Sequence, residues 1–199
     1  MKLLLASSSA HKVAEIQRML DRSGLAVEVL GLSDVPAYPE PVENGTTFEA
    51  NALIKAEAGF ADAGWPTLAD DSGIEVDVLN GMPGIRSARW AGVGASDQAN
   101  LDLLIRQLAD VEDERRGARY VCAMALVSAQ GPTIVRGVVE GRLVAQPRGS
   151  GGFGYDPLFL PVGSALTTAE LSPGDKDAIS HRGRALAAIL PALRALGDW

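Results

Sequence analysis

The chain has 199 residues, 47% of them hydrophobic and 22% charged, with a formal net charge of −7 at pH 7 and a pI near 4.8. That length gives one domain with a real core, and the acidic balance argues against a nucleic-acid polymer as partner, because phosphate-backbone binders carry a basic stripe. A small anionic ligand needs only a few well-placed cations, and four lysines (Lys2, Lys12, Lys55, Lys176) stand against fourteen arginines. An ammonium is a compact point charge suited to phosphate, so lysines kept in an arginine-rich chain are candidate phosphate ligands.

Leu3-Leu4-Leu5-Ala6 reads as a buried strand, and Val13, Ile16, Gln17 and Leu20 follow at helical spacing. This apolar opening is too short for a signal sequence or a membrane span, so a cytoplasmic protein is expected, with no membrane partner. Between strand and helix lies Ser7-Ser8-Ser9-Ala10-His11-Lys12. A polar loop feeding a helix N-terminus suits an anion, because free N–H groups and the helix dipole point at it; serine capping with an exposed lysine would look the same. Residues 27–30 form a second strand. A Pro-rich loop then leads through Glu43 to Thr47, the N-cap of a helix over residues 48–63, in which Phe48, Asn51, Ala52 and Lys55 share one face.

Ala69-Asp70-Asp71-Ser72-Gly73 separates two strand-like runs, 66–69 and 74–78, and its composition predicts a turn. Adjacent side chains on an extended chain point to opposite faces, so Asp70 and Asp71 are expected to do different jobs: one facing a metal or a water, the other bracing the chain. Residues 80–92 read as a glycine-bearing loop, and Ser96 caps a helix to about Leu108. Three strands are predicted near residues 120–128, 133–140 and 141–146, with turns at Gly131-Pro132 and Glu140-Gly141. Cys122, the only cysteine, falls in the first of these, so no internal disulfide can form.

Gly149 to Pro157 places four glycines around Phe153 and Tyr155, a loop that lets backbone approach a ligand while presenting flat rings. A short strand follows at 158–160. Ser172-Pro173 starts a helix. At about 100° per residue, Lys176 and Arg182 would lie about 120° apart on one continuous helix, so a break is predicted at Ile179-Ser180. It would bring Lys176, His181 and Arg182 together at the start of a last helix.

Six blocks in this order resemble the inosine/xanthosine triphosphate pyrophosphatase family over essentially the full length. They are the first strand with Ser7 to Lys12, Gly45 to Ala52 with Lys55, Ala69 to Gly73, Pro83 to Trp90, Gly151 to Pro157, and Lys176 through Ser180-His181-Arg182-Gly183. The resemblance implies an α/β fold, a mixed central sheet with flanking helices, forming a single two-lobed domain over 1–199 with the active site in the cleft between the lobes, and a homodimer. It also implies Mg2+-dependent hydrolysis of non-standard purine nucleoside triphosphates (dITP, ITP, XTP) to monophosphate and pyrophosphate, a house-cleaning of the nucleotide pool. On this pattern Glu43 and Asp71 hold the metal with Asp70 as a neighbour or third ligand, and Asp71 is also the base for the attacking water. Ser7, Ser8, Ser9, Ala10, His11, Lys12, Asn51, Lys55, Ser72 and Lys176 surround the phosphates and sugar. Phe153, Gly154, Tyr155 and Asp156 form the base loop, with Phe153 and Tyr155 flanking the ring, and His181 and Arg182 present donors to its 6-keto oxygen. The pattern departs at Ser9, where the family has asparagine; serine is shorter and has one donor, so a looser or water-rebuilt contact is expected. The alternative is a Maf-type nucleotide pyrophosphatase, which Leu5-Ala6-Ser7-Ser8-Ser9 resembles and Ser180-His181-Arg182 does not.

Overall fold

The computed structural model describes residues 2–197, the side chains of His11 and Pro173 excepted, so the expected ligand role of His11 lies outside the described side chains. Among the described residues six strands and five α-helices follow in chain order: β1 (Lys2–Leu5), α1 (Ala10–Arg22), β2 (Glu28–Leu30), α2 (Phe48–Ala63), β3 (Thr67–Val76), α3 (Asp97–Gln107), β4 (Gly117–Ser128), β5 (Gly131–Leu143), β6 (Phe159–Pro161), α4 (Pro173–Ile179) and α5 (His181–Ala195). The sheet runs β2-β1-β3-β4-β5-β6. β1 lies parallel to β2 and β3, while β5 and β6 are antiparallel, so the sheet is mixed and the α/β expectation is met.

Helix starts follow the predicted caps. The side chains of Ser9, Thr47, Ser96 and Ser172 each accept a hydrogen bond from the backbone N–H three residues on, satisfying a donor the helix leaves unpaired. Gly64 ends α2 in the left-handed conformation, at a φ of 69°. The break between α4 and α5 falls where expected, with Ser180 in extended backbone at ψ 150°.

Two sequence expectations are corrected. Asp70-Asp71-Ser72-Gly73 is not a turn: both strand-like runs belong to the single ten-residue strand β3. Likewise residues 133–146 do not form two strands, because β5 runs unbroken through Glu140-Gly141. In both places a glycine sits where a neighbour needs the space. A Cβ on Gly73 would lie 2.4 Å from Ser87 Oγ and 2.5 Å from the Gly84 carbonyl, and one on Gly141 would lie 2.5 Å from the Leu160 carbonyl. Ser87 Oγ accepts from Ile74 N at 2.9 Å and donates to the Gly84 carbonyl at 2.7 Å, pinning the 3-10 turn Gly84–Arg89 to β3. Gly73→Ala is therefore expected to cost about 1–3 kcal/mol by overpacking, measured as a lowered urea midpoint with an unchanged slope.

The chain forms two compact units. The first comprises the residues up to Asp71, Cys122–Gly137 and those from Gly183 onward; the second comprises Ser72–Val121 and Val138–Arg182. In the first, Leu3, Leu5, Ile16 and Leu20 pack with Cys122 and Met124 of β4 and with Ile189 and Leu193 of α5. Burying each such leucine contributes roughly 1.5–3 kcal/mol. In the second, Ile74 and Val76 pack with Leu101, Leu104 and Leu108, with Val139 and Leu143, and with Tyr155 and Phe159. Among the described residues, no helix is long and apolar enough to cross a membrane.

Candidate active site

The first unit gathers charge on three elements. α2 starts at Thr47, which fixes its rotation so that Asn51 and Lys55 face the carboxylates of β3. Asn51, fully buried, donates from Nδ2 to Asp71 Oδ2 at 3.0 Å and accepts from Gly45 N at 2.9 Å, tying the preceding loop to the strand. Lys55 Nζ stands 3.4 Å from Glu43 and 3.7 Å from Asp71. On its strand Asp71 is partly exposed, and burial pushes its carboxyl above the ordinary carboxylate range; Lys55 and the Asn51 donor pull it down, while Glu43 and Asp70 push it up.

Asp70 and Asp71 have different partners, as the alternation of an extended chain requires. Asp70 is 4% exposed, and both of its oxygens accept from Lys12 Nζ, at 2.8 and 2.9 Å. Lys12 sits in the first turn of α1, where Ser9 Oγ accepts from its backbone N–H, and Ser7 Oγ accepts from Ser9 N. Ser9 thus fulfils its capping role. Ser8 and Ala10 of the same loop are exposed, and Ser72 follows Asp71 along β3.

The second unit builds a different constellation around Asp156, which is 3% exposed. Its Oδ2 accepts from Phe153 N at 2.8 Å and from Lys176 Nζ, and its Oδ1 accepts from Thr168 Oγ1 at 2.8 Å. Lys176 Nζ lies 4.9 Å from the centroid of the Phe153 ring, a cation–π contact. Gly152 makes the loop possible: its φ is +73°, and a Cβ there would lie 2.1 Å from Asp156 Oδ2. Gly154 N donates to Asp97 Oδ2 at 3.0 Å.

The two aromatics of this loop part company. Phe153 is 59% exposed and offers its ring. Tyr155 is 4% exposed and its hydroxyl donates to the Ser87 carbonyl at 2.8 Å, so it braces the loop from the core. A small pocket in this unit is lined by Tyr120, Asp156, Phe159, Lys176, Ser180 and His181, among others. Lys176 and His181 are thus brought together by the α4–α5 break, while Arg182 is buried beside them in sequence at 3% exposure. Sequence reasoning missed Tyr120, Thr168 and Asp97. The only signal for Tyr120 was a phenol opening the otherwise apolar run 121–127.

Three of the four lysines therefore meet carboxylates: Lys12 with Asp70, Lys55 with Glu43 and Asp71, Lys176 with Asp156. The fourth, Lys2, lies over the Trp65 ring. Ammonium–carboxylate clusters of this kind hold cations in place for an anionic ligand.

Comparison with known proteins places this arrangement. The Ham1 family pattern matches residues 3–192. A dITP/XTP pyrophosphatase of Nocardia farcinica is 57% identical over 199 residues, covering 99% of this chain and 97% of its own. A crystal structure of a nucleoside-triphosphatase / dITP/XTP pyrophosphatase from Mycobacterium abscessus is 53% identical, covering 97% of this chain and 100% of that one, with a TM-score of 0.79. The Ham1 protein of Staphylococcus aureus superposes with a TM-score of 0.88 at 34% identity, over 99% of this chain and 100% of that one.

Proposed function

The chain belongs to the Ham1 family, and from that premise we propose that it hydrolyses the non-standard purine nucleoside triphosphates dITP, ITP and XTP to the monophosphate and pyrophosphate. The observation that carries this reading is the Glu43–Lys55–Asp71–Asn51 network in the first unit, a carboxylate of raised pKa beside an ammonium and a fixed amide. The names of the close relatives support the same activity.

The residues fit magnesium. The donor set is all carboxylate oxygen, the Lys55 ammonium already stands within 4 Å of Glu43 and Asp71, and Mg2+ needs only one or two carboxylates beside phosphate oxygens and water. Glu43 and Asp71 would hold it, with Asp70 kept beside them by Lys12. Bound there, the ion would neutralise phosphate charge as it moves to the leaving pyrophosphate.

The rest belongs to the chain's own groups. Asp71 Oδ orients a water and takes its proton, and burial, which raises its carboxyl above the ordinary carboxylate range, makes it a stronger base. Asn51 holds that carboxylate in one rotamer. Lys12, Lys55 and Lys176 exchange their carboxylate partners for phosphate oxygens, stabilising charge that grows in the transition state. Phe153 supplies a flat ring for the base, and His181 and Arg182 supply donors to a 6-keto oxygen. Adenine carries an amine there, so donor meets donor and a buried pair goes unsatisfied.

A homodimer belongs to the same reading and rests on the resemblance, and a cytoplasmic home belongs to it as well; sedimentation at micromolar concentration tests the first. A substrate panel tests the function: dITP and XTP turned over with Mg2+ well ahead of dATP and dTTP is the expected result, and equal turnover of all triphosphates would overturn it.

A further inference from the structure

Tyr120 lies at the meeting point of the second unit's recognition elements without having been expected there. Its ring stacks on the His181 imidazole, centroids 4.8 Å apart and planes 11° from parallel. Phe159 meets the same tyrosine edge-on, at 4.6 Å and 62°. The Asp156 carboxylate is near enough to the Tyr120 phenol to act on it electrostatically. That carboxylate takes Phe153 N, Lys176 Nζ and Thr168 Oγ1. The residue as a whole is only partly buried, because one side of its ring faces the small pocket, yet its hydroxyl end is enclosed. Burial and the Asp156 carboxylate push the phenol well above its usual range, so it stays a donor at any working pH.

An imidazole at the first residue of a helix has a soft ring torsion, since terminal sp3–sp2 rotations are broad. A flat neighbour restricts that freedom: turning His181 would forfeit the stack on Tyr120. Tyr120 is itself held by the β4 backbone and by the edge-on Phe159 ring. One side chain thus fixes the plane of the histidine.

We propose that Tyr120 is the positioning residue for purine selection: its stacked ring sets the His181 imidazole at the angle that donates to a 6-keto oxygen. The assignment rests on the functional reading above. It is a role in discrimination, so it acts on binding of the keto purine more than on the phosphoryl chemistry carried by Asp71 and Lys55.

The test is kinetic and spectroscopic. Tyr120→Leu removes the ring and is expected to raise KM for dITP and lower the dITP-over-dATP ratio of kcat/KM about tenfold, with a much smaller change in kcat. Tyr120→Phe keeps the stack and is expected to restore most of that ratio. The chain has two histidines, so histidine-labelled protein gives two imidazole signals, that of His181 assigned by its loss in His181→Asn. In the unsubstituted protein the His181 ring protons are expected upfield, shielded by the Tyr120 ring, whether or not Tyr120→Leu folds. An unshifted His181, or a well-folded Tyr120→Leu that keeps the full dITP preference, would overturn the role of Tyr120 and leave the functional reading standing. An unsubstituted enzyme with no preference for dITP over dATP would overturn both.

Discussion

Asp71→Asn is expected to lower kcat/KM for dITP by about 10²–10⁴-fold, the usual contribution of a positioned general base. The fold should survive, because the amide can still accept from Asn51 Nδ2 and Lys55 retains Glu43. Stability should even rise slightly at neutral pH. Burial raises the folded-state pKa of Asp71, so this carboxyl favours the folded state most when protonated, below its unfolded pKa, and that increment is lost as pH rises through the folded value. Asparagine imitates the protonated form. The same shift has the opposite consequence for catalysis: Asp71 must be ionised to take a proton, so the acidic limb of the kcat/KM profile should begin above the ordinary carboxylate range and disappear in the variant. A variant with near-normal activity and an unchanged limb would move the base elsewhere.

Lys55→Ala should be nearly as severe and should move the limb. Its ammonium is the cation nearest both Glu43 and Asp71, and removing one preorganised charge from a developing oxyanion costs about 10²–10³ in kcat. Lys55 also pulls the Asp71 pKa down. Without it, burial, Glu43 and Asp70 act unopposed except by Asn51, so the acidic limb shifts to higher pH as well as lower amplitude. A fall in amplitude with no movement of the limb would mean that Lys55 meets phosphate but does not govern Asp71.

Much of the fold was legible because its local signals agree with its packing. Thr47, Ser96 and Ser172 mark helix starts by capping chemistry that works within three residues of itself, and the angular mismatch of Lys176 and Arg182 forced the break at Ser180 that the structure contains. The misreadings share one cause. Gly73 and Gly141 were taken as turn punctuation, yet each stands inside a strand because another segment's atoms occupy the space of its side chain, Ser87 and Gly84 in one case and Leu160 with the Phe159 ring in the other. Gly73 does not use the left-handed conformation that glycine favours. Sequence shows where a glycine is, whereas the neighbour that requires it comes from residues far along the chain.

The site divides in the same way. The structure brings Glu43, Asn51, Lys55 and Asp71 together, and alternation along an extended chain is enough to expect different partners for the two aspartates, Lys12 for one and Asn51 with Lys55 for the other. An aromatic in a glycine loop reads the same whether its ring is exposed, as with Phe153, or buried, as with Tyr155. Tyr120 was invisible for the converse reason: its partners are set by tertiary contacts with Asp156, Phe159 and His181, none near it in sequence.

The central claim is that a metal-dependent attack splits dITP between its α- and β-phosphates. Phosphorus NMR of the products of one complete turnover of dITP with Mg2+ tests it most directly. Pyrophosphate and dIMP in equal amounts, with none formed when the metal is chelated, is the predicted result; orthophosphate with dIDP would contradict it.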